Sequence, residues 1–259
     1  MDLCLDVGNS HVVAGVYLHG ELQATFRYPT IQTLVTSDQL GVFLLQALRE
    51  RDLDPKAVSR IGLCSVVPSL DYSILSACQK YFHQSAFVVK AGVKTGLNIR
   101  VQQPQEVGAD RIASAVGAIG QLPDKNLIVI DLGTATTFCA ISKQKDYYAG
   151  PIVAGLRLSM SALQQHAALL PAANIVRCER AMGKNTEENI QSGLFFGHLE
   201  MIKGIVARLK QEVFSDQSVT MVGTGGFVGL FEEEAIFDST IQDLVLQGIV
   251  TLLDKNSAI

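Results

Sequence analysis

One arrangement of residues occurs twice in this chain, and the repetition limits the fold more than any other feature. Leu3-Cys-Leu-Asp-Val-Gly-Asn-Ser10 is a short apolar run ending in an acid, followed by a glycine turn and small polar residues. Leu127 to Thr134 has the same form, and Asp6 and Asp131 stand 125 positions apart. Each copy leads into a β-rich stretch, Val12 to Tyr17 and Thr137 to Ser142, then a polar turn, at His19-Gly20 and Lys143 to Asp146, and a third strand. Strand, turn, hairpin and strand, twice in one chain, is the pattern of an internal duplication.

Helical periodicity fills the intervals. Ser37 to Arg51 carries Leu40, Phe43, Leu44, Ala47 and Leu48 on one face. Helices are also predicted over Leu70–Phe82, Asp110–Leu122, Leu156–Leu169, Glu187–Val213 and Ile241–Leu253, and strands over Ile61–Val67, Phe87–Val89 and Val219–Val222. Strands alternating with helices define an α/β class. The repeat predicts a division into 1–117, with the first turn, and 118–259, with the second turn and the glycine-rich Gly223-Thr-Gly-Gly226. A chain of 259 residues with 48% hydrophobic content is long enough to bury a core in each half.

Charge and cysteine usage exclude several classes. A net charge of −4 without a basic run argues against nucleic acid or anionic lipid as the main partner. The five cysteines are scattered with no Cys-x-x-Cys pair, which is neither a disulfide framework nor a zinc spacing. There is no basic leader and no apolar stretch approaching the ~20 residues of a membrane span, so the expected location is a reduced cytoplasm.

An acid at the carboxyl end of a buried strand stands where α/β sheets place ligands. The glycine beyond it lets the main chain turn tightly and offer amide hydrogens to phosphate. Asn9 and Ser10 add hydrogen-bonding groups, His11 stands beside them, and Asp6 suits Mg²⁺, which takes few carboxylates and keeps its water. The same residues also make ordinary hairpin turns. No Gly-x-x-x-x-Gly-Lys-Ser/Thr is present, which disfavours a P-loop enzyme. Gly108-Ala-Asp-Arg111 opens a predicted helix: Asp110 is either a cap or a base for a substrate hydroxyl, with Arg111 as a clamp for a carboxylate. Asn185 and Glu188 fit a capping box, and that helix start is equally a place for an anion or a hydroxyl. The Ala/Gly face of Ala113 to Gly120 predicts close helix packing, within the chain or across a dimer.

In this order the motifs resemble the type III pantothenate kinases, a family of the acetate and sugar kinase, Hsp70 and actin superfamily. The resemblance covers almost the whole chain. It runs through Asp6 to Ser10, Ser65-Val-Val-Pro68, Lys94-Thr-Gly96, Pro104 to Arg111, Asp131 to Thr136, Gly183-Lys-Asn-Thr186, Thr224-Gly-Gly226 and Leu244 to Ile249. It implies two ribonuclease-H-like domains of the actin-like ATPase kind, with ATP in the cleft between them. The implied reaction is transfer of the γ-phosphoryl of ATP to the 4′-hydroxyl of pantothenate, the first step of coenzyme A synthesis. In that scheme Asp6, Val7, Gly8, Asn9, Ser10, His11, Val12, Val13 and Thr134 bind Mg²⁺-ATP. Asp110 accepts the proton. Gly108, Ala109, Asp110 and Arg111 bind pantothenate, with Val101 at a position that is usually aromatic. Thr186 reaches pantothenate from the partner of a homodimer, and Asp131 holds K⁺ or NH₄⁺. Two further departures are Ser10 for the usual Thr, which keeps the hydroxyl, and Ala154-Gly155 for the usual Pro-Gly. The alternatives are a kinase of another hydroxy acid, and a nucleotide-binding regulator without catalysis.

Overall fold

The computed structural model describes residues 1–30, 35–167, 169–215 and 217–257. Residue 168, inside the helix expected over Leu156–Leu169, lies outside them. The elements in chain order are β1 (Asp2–Val7), β2 (His11–Leu18), β3 (Glu21–Pro29), α1 (Ser37–Arg49), β4 (Arg60–Ser65), α2 (Pro68–Phe82), β5 (Ala86–Val88), β6 (Asn98–Ile99) and α3 (Ala109–Gln121). There follow β7 (Leu127–Leu132), β8 (Ala135–Ile141), β9 (Asp146–Ala154), α4 (Leu156–His166), α5 (Thr186–Leu209), β10 (Thr220–Thr224), β11 (Ser239–Thr240) and α6 (Leu244–Asn256).

The duplication is visible in the strand order. One sheet runs β3-β2-β1-β4-β5 and the other β11-β10-β7-β8-β9-β6. Apart from β6, the second order is the first with each strand replaced by its repeat. In both, three strands form an antiparallel meander, and the next two are parallel to the first. This is the ribonuclease-H-like arrangement of the actin-like ATPase fold, twice in one α/β chain.

The chain divides into two compact units: residues 1–97, 102–121 and 244–259, and residues 98–101 and 122–243. This corrects the contiguous division 1–117 and 118–259. The last helix returns to the first unit because its surface is apolar almost all round, with Leu244, Leu246, Ile249, Leu252 and Leu253 buried. Such a helix must be covered on several sides.

In the first unit, Leu3, Leu5 and Val7 of β1 alternate with Cys4 and Asp6 and so face opposite sides of the sheet. The former pack in a core that includes Leu40, Leu44, Leu70 and Ile74 of α1 and α2. On the other side Cys4 and Cys64 pack with Ala113 and Val116 of α3 and with Leu246 and Ile249 of α6. A Cβ at Gly117 would run into the Leu244 carbonyl, and one at Gly248 into the backbone of Ala113. The small-residue face of α3 is thus close packing within the chain, against α6.

Local signals set the ends. Thr36 and Gln39 form a reciprocal capping box on α1, and Pro68 opens α2 at a position where its missing N–H costs nothing. His19 and Gly20, at φ 51° and 83°, make the two-residue turn between β2 and β3.

In the second unit, Ile128, Ile130, Leu132 and Phe138 pack against α4 and α5 through Leu156, Met160, Leu194, Phe195 and Leu199. By the same alternation, Asp131 faces the opposite side of its sheet. Among the described residues, no helix is long and apolar enough to cross a membrane.

Candidate active site

The first turn closes tightly. Gly8 N donates to His11 O at 3.0 Å, Thr30 N donates to Ser10 O at 2.9 Å, and the Thr30 hydroxyl donates to Gly8 O at 2.7 Å. The Gly8 amide, expected to face phosphate, is instead used inside the turn. A Cβ at Gly8 would lie 3.3 Å from His11 O, a tight contact that a side chain there would have to ease. Asn9, Ser10 and His11 are exposed, and Asp6 is half-buried. Val7 and Val12 turn their side chains into the core, so only their main chain can meet a ligand. Thr30, which fastens two carbonyls of the turn, was not picked out from the sequence. A Thr directly after a strand that ends in proline is too common to attract notice.

Asp6 pairs in register with Val13 on β2 and with Cys64 on β4. Asp110 stands in the first turn of α3, where it bonds the next amide, Arg111 N to Asp110 Oδ1, at 2.8 Å. A Cβ at Gly108 would occupy the place of that carboxylate oxygen. The glycine before the helix therefore makes room for the acid. Burial pushes the Cys64 thiol well above its ordinary range, and the charges of Asp6 and then Asp110 push it further. A strand end and a helix start thus bring two carboxylates to bear on one buried sulfur, both within the first unit. Val13 and Arg111 are half-buried in the same unit.

The second turn is one residue shorter. Leu132 pairs with Thr136, where Val7 pairs with Val12 four residues of loop apart, and Gly133 N donates to Ala135 O at 3.1 Å. Two other segments lie against it. Gly155 N, at the start of α4, donates to Thr134 O at 3.1 Å, and Phe227 N donates to Leu132 O at 3.1 Å. Gly225, at φ +93°, leaves no room for a Cβ against Asp131 Oδ1 and the Leu132 backbone, and one at Gly155 would strike the carbonyls of Gly133 and Thr134. Asp131, Thr134, Gly155 and Gly225 are therefore gathered in one place in the second unit. Gly155, the retained half of the usual Pro-Gly, supplies the close approach.

Behind this turn lies a buried polar pair that the sequence did not disclose. Thr136 Oγ1 and His198 Nε2 of α5 are hydrogen-bonded at 3.1 Å, with 1% and 7% of their surfaces exposed. Burial lowers the His198 pKa from its ordinary 6.5. In the unfolded chain the ring takes up its proton at higher pH than in the folded one. Its contribution to stability is therefore complete above about 6.5 and is lost as pH falls below that value. In chemical denaturation from pH 7.5 to 5, His198→Gln is expected to flatten this part of the stability profile. An unchanged slope would mean that the ring titrates alike in both states.

Thr186 is the exposed first residue of α5, behind the cap Asn185, whose Oδ1 accepts from Glu188 N at 2.9 Å. The capping box is altered: Glu188 reaches back to Lys184 N at 2.7 Å, one residue before the cap. Val101 is half-buried and belongs to the second unit, whereas Gly108 to Arg111 belong to the first.

The sequence profile described as type III pantothenate kinase matches residues 2–208. The chain belongs to the type III pantothenate kinase family. A type III pantothenate kinase from Legionella pneumophila (strain Corby) is 47% identical over 258 residues, with 100% of each chain covered. Type III pantothenate kinase 1 from Francisella tularensis subsp. holarctica (strain OSU18) is 44% identical, with 99% of this chain and 100% of that one covered. Among solved structures, one described as a Baf family transcriptional activator from Campylobacter jejuni aligns with a TM-score of 0.64. It covers 99% of this chain and 100% of its own at 18% identity, a likeness of fold. As a type III pantothenate kinase by family, the chain is a phosphotransferase, and its family's reaction is the ATP-dependent phosphorylation of pantothenate in coenzyme A synthesis.

Proposed function

We propose that this chain phosphorylates the 4′-hydroxyl of pantothenate with Asp110 as proton acceptor. The observation that carries the reading is a juxtaposition within one unit: Asp6 lies in register with Cys64, and Cys64 packs against Ala113 of the helix whose first turn holds Asp110. Phosphoryl transfer asks a protein mainly for positioning and charge stabilisation. Asp110 orients the hydroxyl and takes its proton as the bond to phosphorus forms. Arg111 N engages Oδ1, so Oδ2 is the oxygen that takes the proton in this reading. The Arg111 guanidinium pairs with the pantothenate carboxylate.

The residues fit the two ions that this reading needs. Among the described residues no group of three or more His, Cys, Asp or Glu is placed so that it could hold a metal ion. Mg²⁺ bound mainly by phosphate oxygens and water needs no such group, and the half-buried Asp6 carboxylate would hold it from one side. That ion supplies charge neutralisation on the phosphates. Asp131, boxed by Gly225 and Gly133, offers hard oxygen to K⁺ or NH₄⁺, and the Thr134 hydroxyl faces phosphate. Thr186 serves the active site of the partner in a homodimer, and the enzyme works in the cytoplasm.

Protein incubated with ATP, Mg²⁺, K⁺ and pantothenate is expected to yield 4′-phosphopantothenate, and Asp131→Asn to lose the response to added K⁺ or NH₄⁺. No product from folded protein in either cation would defeat the reading. A parent-like cation response in Asp131→Asn would place the ion elsewhere. Val101, where the family usually has an aromatic ring, favours one second reading, a different hydroxy acid as acceptor. A panel of acceptors at equal concentration separates the two by kcat/KM.

A further inference from the structure

The duplicated fold contains its own control for one buried contact. Leu132 and Thr136 close the second turn as Val7 and Val12 close the first. At the same place in the two sheets, one copy has a buried valine in an apolar core and the other a buried threonine bonded to a histidine. Burying a hydroxyl and an imidazole costs free energy that valine against aliphatic side chains does not, and one hydrogen bond returns only part of it. The first copy shows that the hairpin closes without the pair. Its presence in the second copy therefore calls for a reason beyond folding.

The pair sits where such a reason is available. Thr136 directly follows the Gly133–Ala135 turn, and residues paired across two strands share a face. Thr136 thus lies with Leu132 on the α5 side, while Asp131 and its partner Thr137 point to the other. The hydrogen bond to α5 holds the back of the hairpin whose front carries Asp131 and whose tip carries Thr134. α5 is a long helix, 24 residues, with Leu194, Phe195, Leu199 and Ile202 buried around His198. The anchor is therefore rigid, and a displacement at Thr136 passes to Thr134 two residues away.

We infer that His198, acting through Thr136, is a positioning residue that fixes the second turn for binding the ATP phosphates and the monovalent cation. This rests on the reading of Asp131 and Thr134 given above. Neither His198 nor Thr136 touches a reacting atom. Their effect falls on binding at the turn and not on proton transfer at Asp110.

The test is steady-state kinetics on four variants of the full chain. Thr136→Val, which copies the first repeat, and His198→Leu are expected to raise KM for ATP and the half-activating K⁺ concentration by about tenfold, the scale of one buried hydrogen bond. Their kcat and KM for pantothenate should stay within about twofold of the parent. Thr136→Ser, which keeps the hydroxyl, and His198→Gln, whose amide nitrogen can stand in for Nε2, should recover most of the loss. The double variant should be no worse than either single one, since both remove the same bond. Unchanged ATP and K⁺ constants in Thr136→Val, or a uniform fall in kcat with no change in either constant, would overturn the inference. Thr134→Ala and Asp131→Asn, assayed in parallel, separate the two failures. If they weaken ATP or K⁺ and Thr136→Val does not, the positioning role alone is wrong. If they too are without effect, the second turn is not the binding site, and the inference falls with it.

Discussion

Asp110→Asn is expected to lower kcat by at least about a hundredfold while leaving the fold and the KM for ATP close to the parent. Loss of a general base costs ~10²–10⁴ in rate. The loose transition state of phosphoryl transfer, in which the proton moves late, favours the lower part of that range. The local structure should survive. Asn keeps the size of Asp and an Oδ1 that can accept from Arg111 N, as the carboxylate does at 2.8 Å. The Gly108 space that receives this oxygen is also unchanged. What disappears is the capacity to take a proton. Single-turnover measurement of phosphopantothenate with ATP in excess isolates the chemical step. A rate within threefold of the parent would remove Asp110 as the base and leave it the helix-start role that its position also allows.

Gly248→Ala is the second large effect. In an open helix, alanine would stabilise by ~1 kcal/mol over glycine. Here the new methyl would meet the Ala113 carbonyl and its neighbouring backbone atoms, which no rotamer change can move aside. α6 must draw back from α3, opening space around Ala113, Val116 and Ile249, which pack in one cluster. The net change expected is a loss of about 2–3 kcal/mol, the upper part of the range for overpacking, because the obstructing atoms are backbone. The midpoint of urea unfolding reads it. Gly204→Ala in α5, where the methyl meets nothing within 4 Å, is the matched control and should be neutral or stabilising. If the two variants unfold at the same urea concentration, the α3–α6 contact is looser than described.

Much of both units was legible because the signals are local. The two Asp–x–Gly turns, the apolar strands that lead into them, and the helix start at Asn185 depend on neighbouring residues. The family motifs placed Asp6 and Asp110 in one unit without any contact being known. Three features were hidden for physical reasons. The return of α6 to the first sheet rests on where an all-round apolar helix finds cover, and periodicity cannot name the partner. The use of the Gly8 and Gly133 amides inside their own turns depends on loop length, four residues in one copy and three in the other. Thr136 and His198 meet across 62 positions, and each alone is an unremarkable residue. The two-residue strand β6 carries too little pattern to be seen, yet it adds to the edge of β9.

The final helix has a consequence for how the chain is made. A ribosome adds residues from the N-terminus at ~5–20 per second. The first sheet is therefore complete in sequence long before α6, residues 244–256, is available to cover one of its faces. For most of synthesis, the side of β1 and β4 that bears Cys4 and Cys64 waits for its cover. The second unit, residues 98–101 and 122–243, has all of its chain before α6 is made. The part that begins first is thus finished last. A chain halted before residue 244 would carry both aspartate turns and Asp110, yet lack the helix against which Asp110's own helix is packed.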